Sequence, residues 1–240
     1  MKTSVKFLLA AALVLLASLT AYNMALRNTY RSGAYKDPLR DYTTLKFKDF
    51  NEVVVPAAGI LKVKIMAGPF GVRVHPSAGE VVRVSQQGGR LVVAAVFADR
   101  AQAPNWGETV VISCPSLVAL RADAESQVQG HPEYNKTPAS GRVLVQGFTQ
   151  DSLALRQDRG SCVELLNNRL GFLRAAVGAT PGSHSALQLT QGNQVAAASL
   201  DISHQSELVL DNVQIPQLQR NFGDSAKVTL TGAALSSVLK

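Results

Sequence analysis

Four histidines, two cysteines and a scatter of aspartates are the residues with the chemistry for metal binding or catalysis, and their spacing decides what they can do. His75, His131, His184 and His204 form no H-E-x-x-H or His-x-His pattern. His184 and His204 precede the apolar phrases at Leu187 and Leu208 by three and four residues, so they are the one pair that a repeating fold would stack at a corner. Stacked polar residues at such corners are ordinarily solvated or bonded to backbone, and no metal ligand is assigned. Cys114 and Cys162 lack a C-x-x-C spacing; two thiols acting as small apolar residues is the favoured reading, with a bridge left open. Polysaccharide-cleaving enzymes collect acidic groups along one groove. Here Asp151, Asp158, Asp201, Asp211 and Asp224 take different offsets in their repeats; Asp201 alternates with apolar Leu200 and Ile202 and should face outward, while Asp211 and Asp224 sit beside Asn212 and Gly223 as turn residues do. No Gly-x-Ser-x-Gly elbow or phosphate loop is present. The sequence assigns no catalytic, metal-binding or cofactor-binding residue and calls for no cofactor, so the expectation is a protein that is not an enzyme.

The elements that position these residues are written in a repeat. Ser161-Cys-Val-Glu-Leu165, Ser185-Ala-Leu-Gln-Leu189, Ser206-Glu-Leu-Val-Leu210 and Ala226-Lys-Val-Thr-Leu230 return one phrase, with the markers Val163, Leu187, Leu208 and Val228 spaced 24, 21 and 20 residues apart. Between them lie second apolar pieces, Leu153 to Leu155, Leu173 to Val177, Leu200 to Ile202 and Leu218 to Phe222. A unit that short cannot bury its apolar face alone and must stack on its copies. The serines recur too regularly to be nucleophiles and read as strand starts; Asn167, Asn168, Asn193, Asn212 and Asn221 read as corner ladders. Upstream, 61–65, 71–75, 81–84, 91–97 and 109–113 alternate apolar and polar residues, with Gly68-Pro69, Ser77-Ala-Gly79 and Gly88-Gly89 as turns. The fold class is therefore all-β: a β-helix or β-solenoid of about five rungs with a strand-rich N-terminal part, preceded by one N-terminal hydrophobic helix. The boundaries are a helix over 1–26, a polar linker over 27–50, and a β domain over 51–240, its strand-rich half at 51–113 and its rungs at 114–232. Three residues on segments between strands are interaction candidates: Trp106, and His131 and Tyr134 in the insertion 131–141.

The net charge of +7 is concentrated at the N-terminus. Residues 1–40 carry +5 and the remaining 200 only +2, from 18 basic and 16 acidic residues spread along the chain. That distribution lacks the clustered basic face of a nucleic-acid-binding domain. After two lysines, residues 7–26 are uncharged and long enough to cross a bilayer. No lipobox cysteine is present and a small-x-small cleavage site is poorly formed, which favours an uncleaved signal anchor over a cleaved signal. Charge counting on the flanks alone would leave the C-terminal domain in the cytoplasm; the export-like segment and the repetitive β domain favour the envelope instead.

The apolar anchor, the strand-rich half, the Cys114-Pro-Ser-Leu-Val-Ala-Leu120 step and the repeated rungs together resemble the candidate auto-transporter adhesin family with a head GIN domain, over roughly residues 50–232. The resemblance implies a β-helix-like fold in an exported bacterial protein and supplies no catalytic residue. The expectation is an envelope-anchored interaction or structural protein, adhesin-like, held by a single inner-membrane span with a periplasmic domain, or secreted or surface-exposed if the signal is cut. Its partners would be the membrane through residues 7–26 and a glycan or another surface protein, with no nucleic acid. The alternative is a carbohydrate-active β-helix enzyme, a lyase or hydrolase, which would need its scattered acids to converge.

Overall fold

The computed structural model describes residues 3–33, 36–98, 108–134 and 140–238. It divides into two compact units, Met1–Tyr42 and Thr43–Lys240. The first is built on α1, Thr3–Ser32, so the helix runs six residues beyond the boundary expected at Leu26. Its Thr3–Arg31 portion is long and apolar enough to cross a membrane and is not buried against protein. The hydroxyls of Ser18 and Thr20 donate back to Leu15 O and Leu16 O at 2.9 and 2.7 Å, which satisfies them within the helix itself. An N-terminal apolar helix of this kind is a membrane anchor or a signal sequence.

The regular structure of the second unit is almost all strand. In chain order these are β1 Thr43–Leu45, β2 Glu52–Val55, β3 Lys62–Ala67, β4 Gly71–Val74, β5 Val82–Gln87, β6 Arg90–Phe97, β7 Val110–Cys114, β8 Ala119–Ala122, β9 Glu125–Val128 and β10 His131–Tyr134. They continue as β11 Arg142–Gln146, β12 Thr149–Gln157, β13 Cys162–Leu166, β14 Arg169–Val177, β15 Ala186–Leu189, β16 Gln194–Ile202, β17 Glu207–Asp211, β18 Gln217–Phe222 and β19 Lys227–Thr231. One nine-stranded sheet has the order β1-β4-β7-β3-β11-β13-β15-β17-β19. The other, ten-stranded, has the order β10-β9-β6-β2-β8-β12-β14-β16-β18, with β5 paired to β6 off that path. From β11 onward the chain alternates between the sheets, and every neighbour in each sheet is parallel.

Strand register places like residues over like. In the first sheet Val110, Val63, Val143, Val163, Leu187, Leu208 and Val228 stand in one row, and Ile112, Ile65, Val145, Leu165, Leu189, Leu210 and Leu230 in the next. In the second sheet Leu91, Val53, Leu120, Leu155, Ala175 and Leu200 do the same. All but Val228 and Leu230 are buried, in one continuous apolar cluster. Burying a leucine or isoleucine is worth about 1.5–3 kcal/mol, so each row holds its strands in register more firmly than backbone pairing alone. The strands of the expected N-terminal half, β3 and β7, continue the same rows rather than forming a separate structure.

The corners between sheets require unusual backbone, and the residue types supply it. Each first-sheet strand from β11 on is followed by a left-handed residue: Gly147 at φ 79°, Asn167 at 54°, Gly192 at 94°, Asn212 at 54° and Gly232 at 56°. Only glycine and, at modest cost, asparagine take that conformation readily. Gly192 has a further reason, since a Cβ there would collide with Asn167 Oδ1.

Buried amides and hydroxyls then satisfy the turn backbone. Asn168 Oδ1 accepts from Phe148 N, and its Nδ2 donates to Val145 O and to Asn193 Oδ1, all at 3.0 Å. Asn193 Nδ2 donates to Leu165 O and Thr190 O at 2.6 Å. At the opposite corner the buried Ser183 Oγ accepts from Arg159 N at 3.0 Å and stands 2.9 Å from the buried Ser185 Oγ. Ser161, Ser185 and Ser206 thus stand just before strand starts, and Asn167, Asn168, Asn193 and Asn212 at corners, as the repeat reading expects; Asn221 does not, because it lies within β18 with its Nδ2 on Asp201 Oδ1.

Replacing Leu208 with alanine would remove buried methyl groups from the middle of a row and cost about 2–5 kcal/mol. Chemical denaturation of the variant beside the wild type measures it; an unchanged midpoint would mean that the register above is wrong.

Candidate functional site

Of the depressions in the outer faces of the β unit, two bring together the candidate thiols, histidine and acids. The larger, about 840 Å³, follows the outward-facing row Lys62, Arg142, Cys162, Ala186, Glu207 and Lys227 of the first sheet. Small Cys162 and Ala186 form its floor and the long charged side chains its two ends. Those charges are largely spent on one another: Arg142 Nη1 is 2.8 Å from Glu164 Oε2, and Lys227 Nζ 2.9 Å from Glu207 Oε1, which also accepts from Thr229 Oγ1 at 3.2 Å. His184 borders the groove from a left-handed position, φ 49°. Exposed pairs of this kind contribute about 0–1 kcal/mol each and leave a surface close to neutral.

The two thiols are free rather than bridged. Cys114 is fully buried and burial pushes its pKa up to about 12. Cys162 is half-buried on the groove floor; burial raises its pKa too, opposed by the Arg142 charge, with Glu164 and Glu207 adding to the rise. Neither is an activated nucleophile.

The second depression, about 540 Å³, lies where the strands of the second sheet end and is bordered by Asp123, Asp158 and Asp201 together with Arg121 and Arg156. Asp158 and Asp201 therefore do share a site, although their offsets in the repeats differ. Each aspartate is engaged. Burial would raise Asp158, but hydrogen bonds from Ser183, Thr180 and the Arg159 backbone outweigh it and hold its carboxyl below the usual range, with Oδ1 accepting from Thr180 N at 3.2 Å and Thr180 Oγ1 at 3.1 Å. Asp123 is raised by burial, partly offset by Arg159, whose Nε stands 3.6 Å from Oδ1, and by the Ala124 N–H at 2.8 Å. Asp201 Oδ1 accepts from Asn221 Nδ2 at 3.1 Å and Ser203 Oγ at 3.4 Å.

Arg159 ties this depression to one of the sequence candidates. Its Nη1 is 3.5 Å from Glu125 Oε2, and its guanidinium carbon lies 4.4 Å above the Tyr134 ring. Tyr134 and His131 are not on a free loop: His131–Tyr134 is β10, antiparallel to β9 through a turn at Gln129 and Gly130, both with positive φ as a tight hairpin requires. His131 is exposed at the start of that strand, beside the turn. Residues 135–139 of the insertion, and Trp106, lie outside the described residues. Asp123 and Arg159 were not singled out by sequence, and nothing in their spacing marks them, because the contact joins β8, β9 and the turn after β12.

The histidines have different settings. His204 Nδ1 is 3.1 Å from Gly178 O, and His184 borders the groove; His75 Nδ1 caps the short 3-10 turn Pro76–Ala78 by accepting from Ser77 N at 3.2 Å. No cluster of three or more His, Cys, Asp or Glu placed to hold a metal occurs among the described residues.

No protein-family profile matches the chain. No curated protein sequence matches it either. Among solved structures it is similar to a candidate adhesin from Parabacteroides distasonis ATCC 8503, at 12% identity and TM-score 0.38 over 79% of this chain and 96% of that one. A candidate adhesin from Bacteroides fragilis NCTC 9343 gives 12% and 0.39 over 79% and 94%. A candidate lipid binding protein from Parabacteroides distasonis ATCC 8503 gives 11% and 0.35 over 80% and 96%. Superpositions this loose carry no residue or role across to this chain.

Two outcomes check the site. The folded pKa of Asp158 lies below its unfolded value, so its contribution is complete above the unfolded pKa and is lost as pH falls through the folded one. Asp158→Ala should therefore flatten the fall in melting temperature below about pH 4; a slope equal to wild type would refute the hydrogen-bonded carboxylate. A small maleimide should label Cys162 in the folded protein and Cys114 only after unfolding, as read by mass spectrometry of peptides.

Proposed function

We propose that the chain is an envelope-anchored β-solenoid that serves as a non-catalytic interaction protein, each first-sheet strand and the second-sheet strand after it making one coil. Support for the coil comes from the strict alternation of β11 to β19 between two parallel sheets and from the corner residues that repeat with it. Support for the anchor comes from the apolar Thr3–Arg31 helix. The observation that carries the non-catalytic reading is the commitment of the carboxylates: Asp123, Asp158 and Asp201, the acids that share a depression, are each bound to structural donors. A glycosidase or lyase needs one carboxyl held protonated and another group free to attack or to take a proton. On this reading the outer sheet faces meet a glycan or a surface protein in the envelope.

The test is incubation of the full detergent-solubilised chain with neutral and acidic cell-envelope polysaccharides. Retention on a polysaccharide matrix with no new reducing ends is the expected result. Appearance of new reducing ends, abolished by Asp158→Ala, would replace this reading with the enzymatic one.

A further inference from the structure

The outer face of the second sheet carries a group of arginines that the protein does not use. Arg121 on β8 and Arg156 on β12 are direct neighbours in register, and Arg174 lies on β14, one strand further and two residues back. All three are exposed, and none makes a hydrogen bond or ion pair within the described residues. Strand spacing puts Arg121 and Arg156 about 5 Å apart at the backbone and Arg156 and Arg174 about 8 Å apart. Like charges side by side on a sheet repel and destabilise it, so the fold gains nothing from this arrangement.

None of the nearby acids is ion-paired with it. Asp123 and Glu125 face Arg159, Asp158 is held by Thr180, and Asp201 by Asn221 and Ser203. Other arginines of this face are already occupied, Arg90 with Glu52 at 3.0 Å and Arg169 with Gln194 at 2.9 Å. Between the free guanidiniums the carpet is flat, because Ala119, Ala154 and Ala176 fill the intervening outward positions. Phe172 continues the line: it is two residues before Arg174 on β14 and 39% exposed. From Arg121 to Phe172 the path crosses two strand spacings and four residues, about 10 Å across the strands and about 13 Å along them.

We propose that this diagonal strip, Arg121, Arg156, Arg174 and Phe172, binds an acidic polysaccharide. The proposal rests on the non-catalytic interaction reading above and names its site and ligand chemistry. Each guanidinium presents a planar fork of donors that matches a carboxylate in two-point contact. The Phe172 ring offers a negatively charged face to the C–H side of a sugar ring. A linear chain laid along the strip meets both in turn. The flat alanine floor lets a sugar backbone approach closely, whereas a globular partner of the usual kind would bury a wider apolar centre than one phenylalanine provides. Binding is charge-driven and weakens with salt.

The experiment uses the full chain in neutral detergent, with polygalacturonate as the anionic probe, its methyl ester as the uncharged version of the same polymer, and phosphatidylglycerol vesicles as an anionic surface without sugar. Wild type should be retained on polygalacturonate and not on the ester. The double variant Arg156→Gln, Arg174→Gln should lose about tenfold in affinity, the equivalent of 1.4 kcal/mol. Phe172→Ala should weaken binding while leaving its salt dependence unchanged, which separates sugar stacking from charge. Lys64→Gln, on the outer face of the other sheet, should bind as wild type, and equal melting temperatures exclude misfolding.

Absence of retention on polygalacturonate, equal retention on the ester, vesicle binding as tight as polysaccharide binding, or an unaffected arginine variant would each overturn the site. None of these touches the interaction reading, which fails separately if polygalacturonate is cleaved.

Discussion

A parallel strand stack stands or falls on how the chain turns the corner, because each turn takes backbone groups away from strand pairing while the apolar rows around them exclude water. An unsatisfied buried amide or carbonyl costs about 1–3 kcal/mol, and a recurring turn would incur that cost at every repeat. Here the cost is avoided by Asn168 and Asn193, each of which satisfies backbone of the turn before it, with Asn168 itself held by Asn193 of the next turn. The ladder couples neighbouring turns, so that Val145, Phe148, Leu165 and Thr190 are fixed by two side chains. Everything else in the β unit, including the flat faces outside it, inherits its geometry from those corners.

The same constraint explains where the sequence could be read and where it could not. The phrases around Val163, Leu187, Leu208 and Val228 are legible because period-two burial repeats at nearly constant spacing, and the register rows fall on those residues. The N-terminal strands were legible as strands but their order in the sheet was not: β7 and β3 precede β11 in the first sheet in reversed order, and no local pattern encodes that swap. The hairpin at His131–Tyr134 escaped for a different reason. Its four residues, His-Pro-Glu-Tyr, carry no apolar alternation, and only pairing with β9 makes them a strand.

The candidate site was legible in one dimension only. Alternation tells which residues face outward, and it put Asp201 there. Which outward residues become neighbours depends on inter-strand register and on where strands stop. Asp158 and Asp201 differ in offset yet border one depression, since one lies just past the end of β12 and the other near the end of β16. Arg121, Arg156 and Arg174 are separated by 35 and 18 residues and become a group only when β8, β12 and β14 align.

The last strands show what ends such a stack. The buried alternation of β14 and β16 fades in β18 and β19, whose row members Leu218, Phe222, Val228 and Leu230 are only partly covered. A bare parallel edge would offer unpaired backbone to another chain. The segment after β19 answers this locally: the 3-10 turn Gly232–Ala234 packs by β17, the short helix Leu235–Val238 packs by β18, and Ala234 is fully buried beneath them. Asn212 joins the two, its Oδ1 accepting from Ala233 N at 3.1 Å. The residue that turns the last complete corner is thus also the one that pins the cap, its side-chain oxygen satisfying turn backbone as those of Asn168 and Asn193 do in the interior.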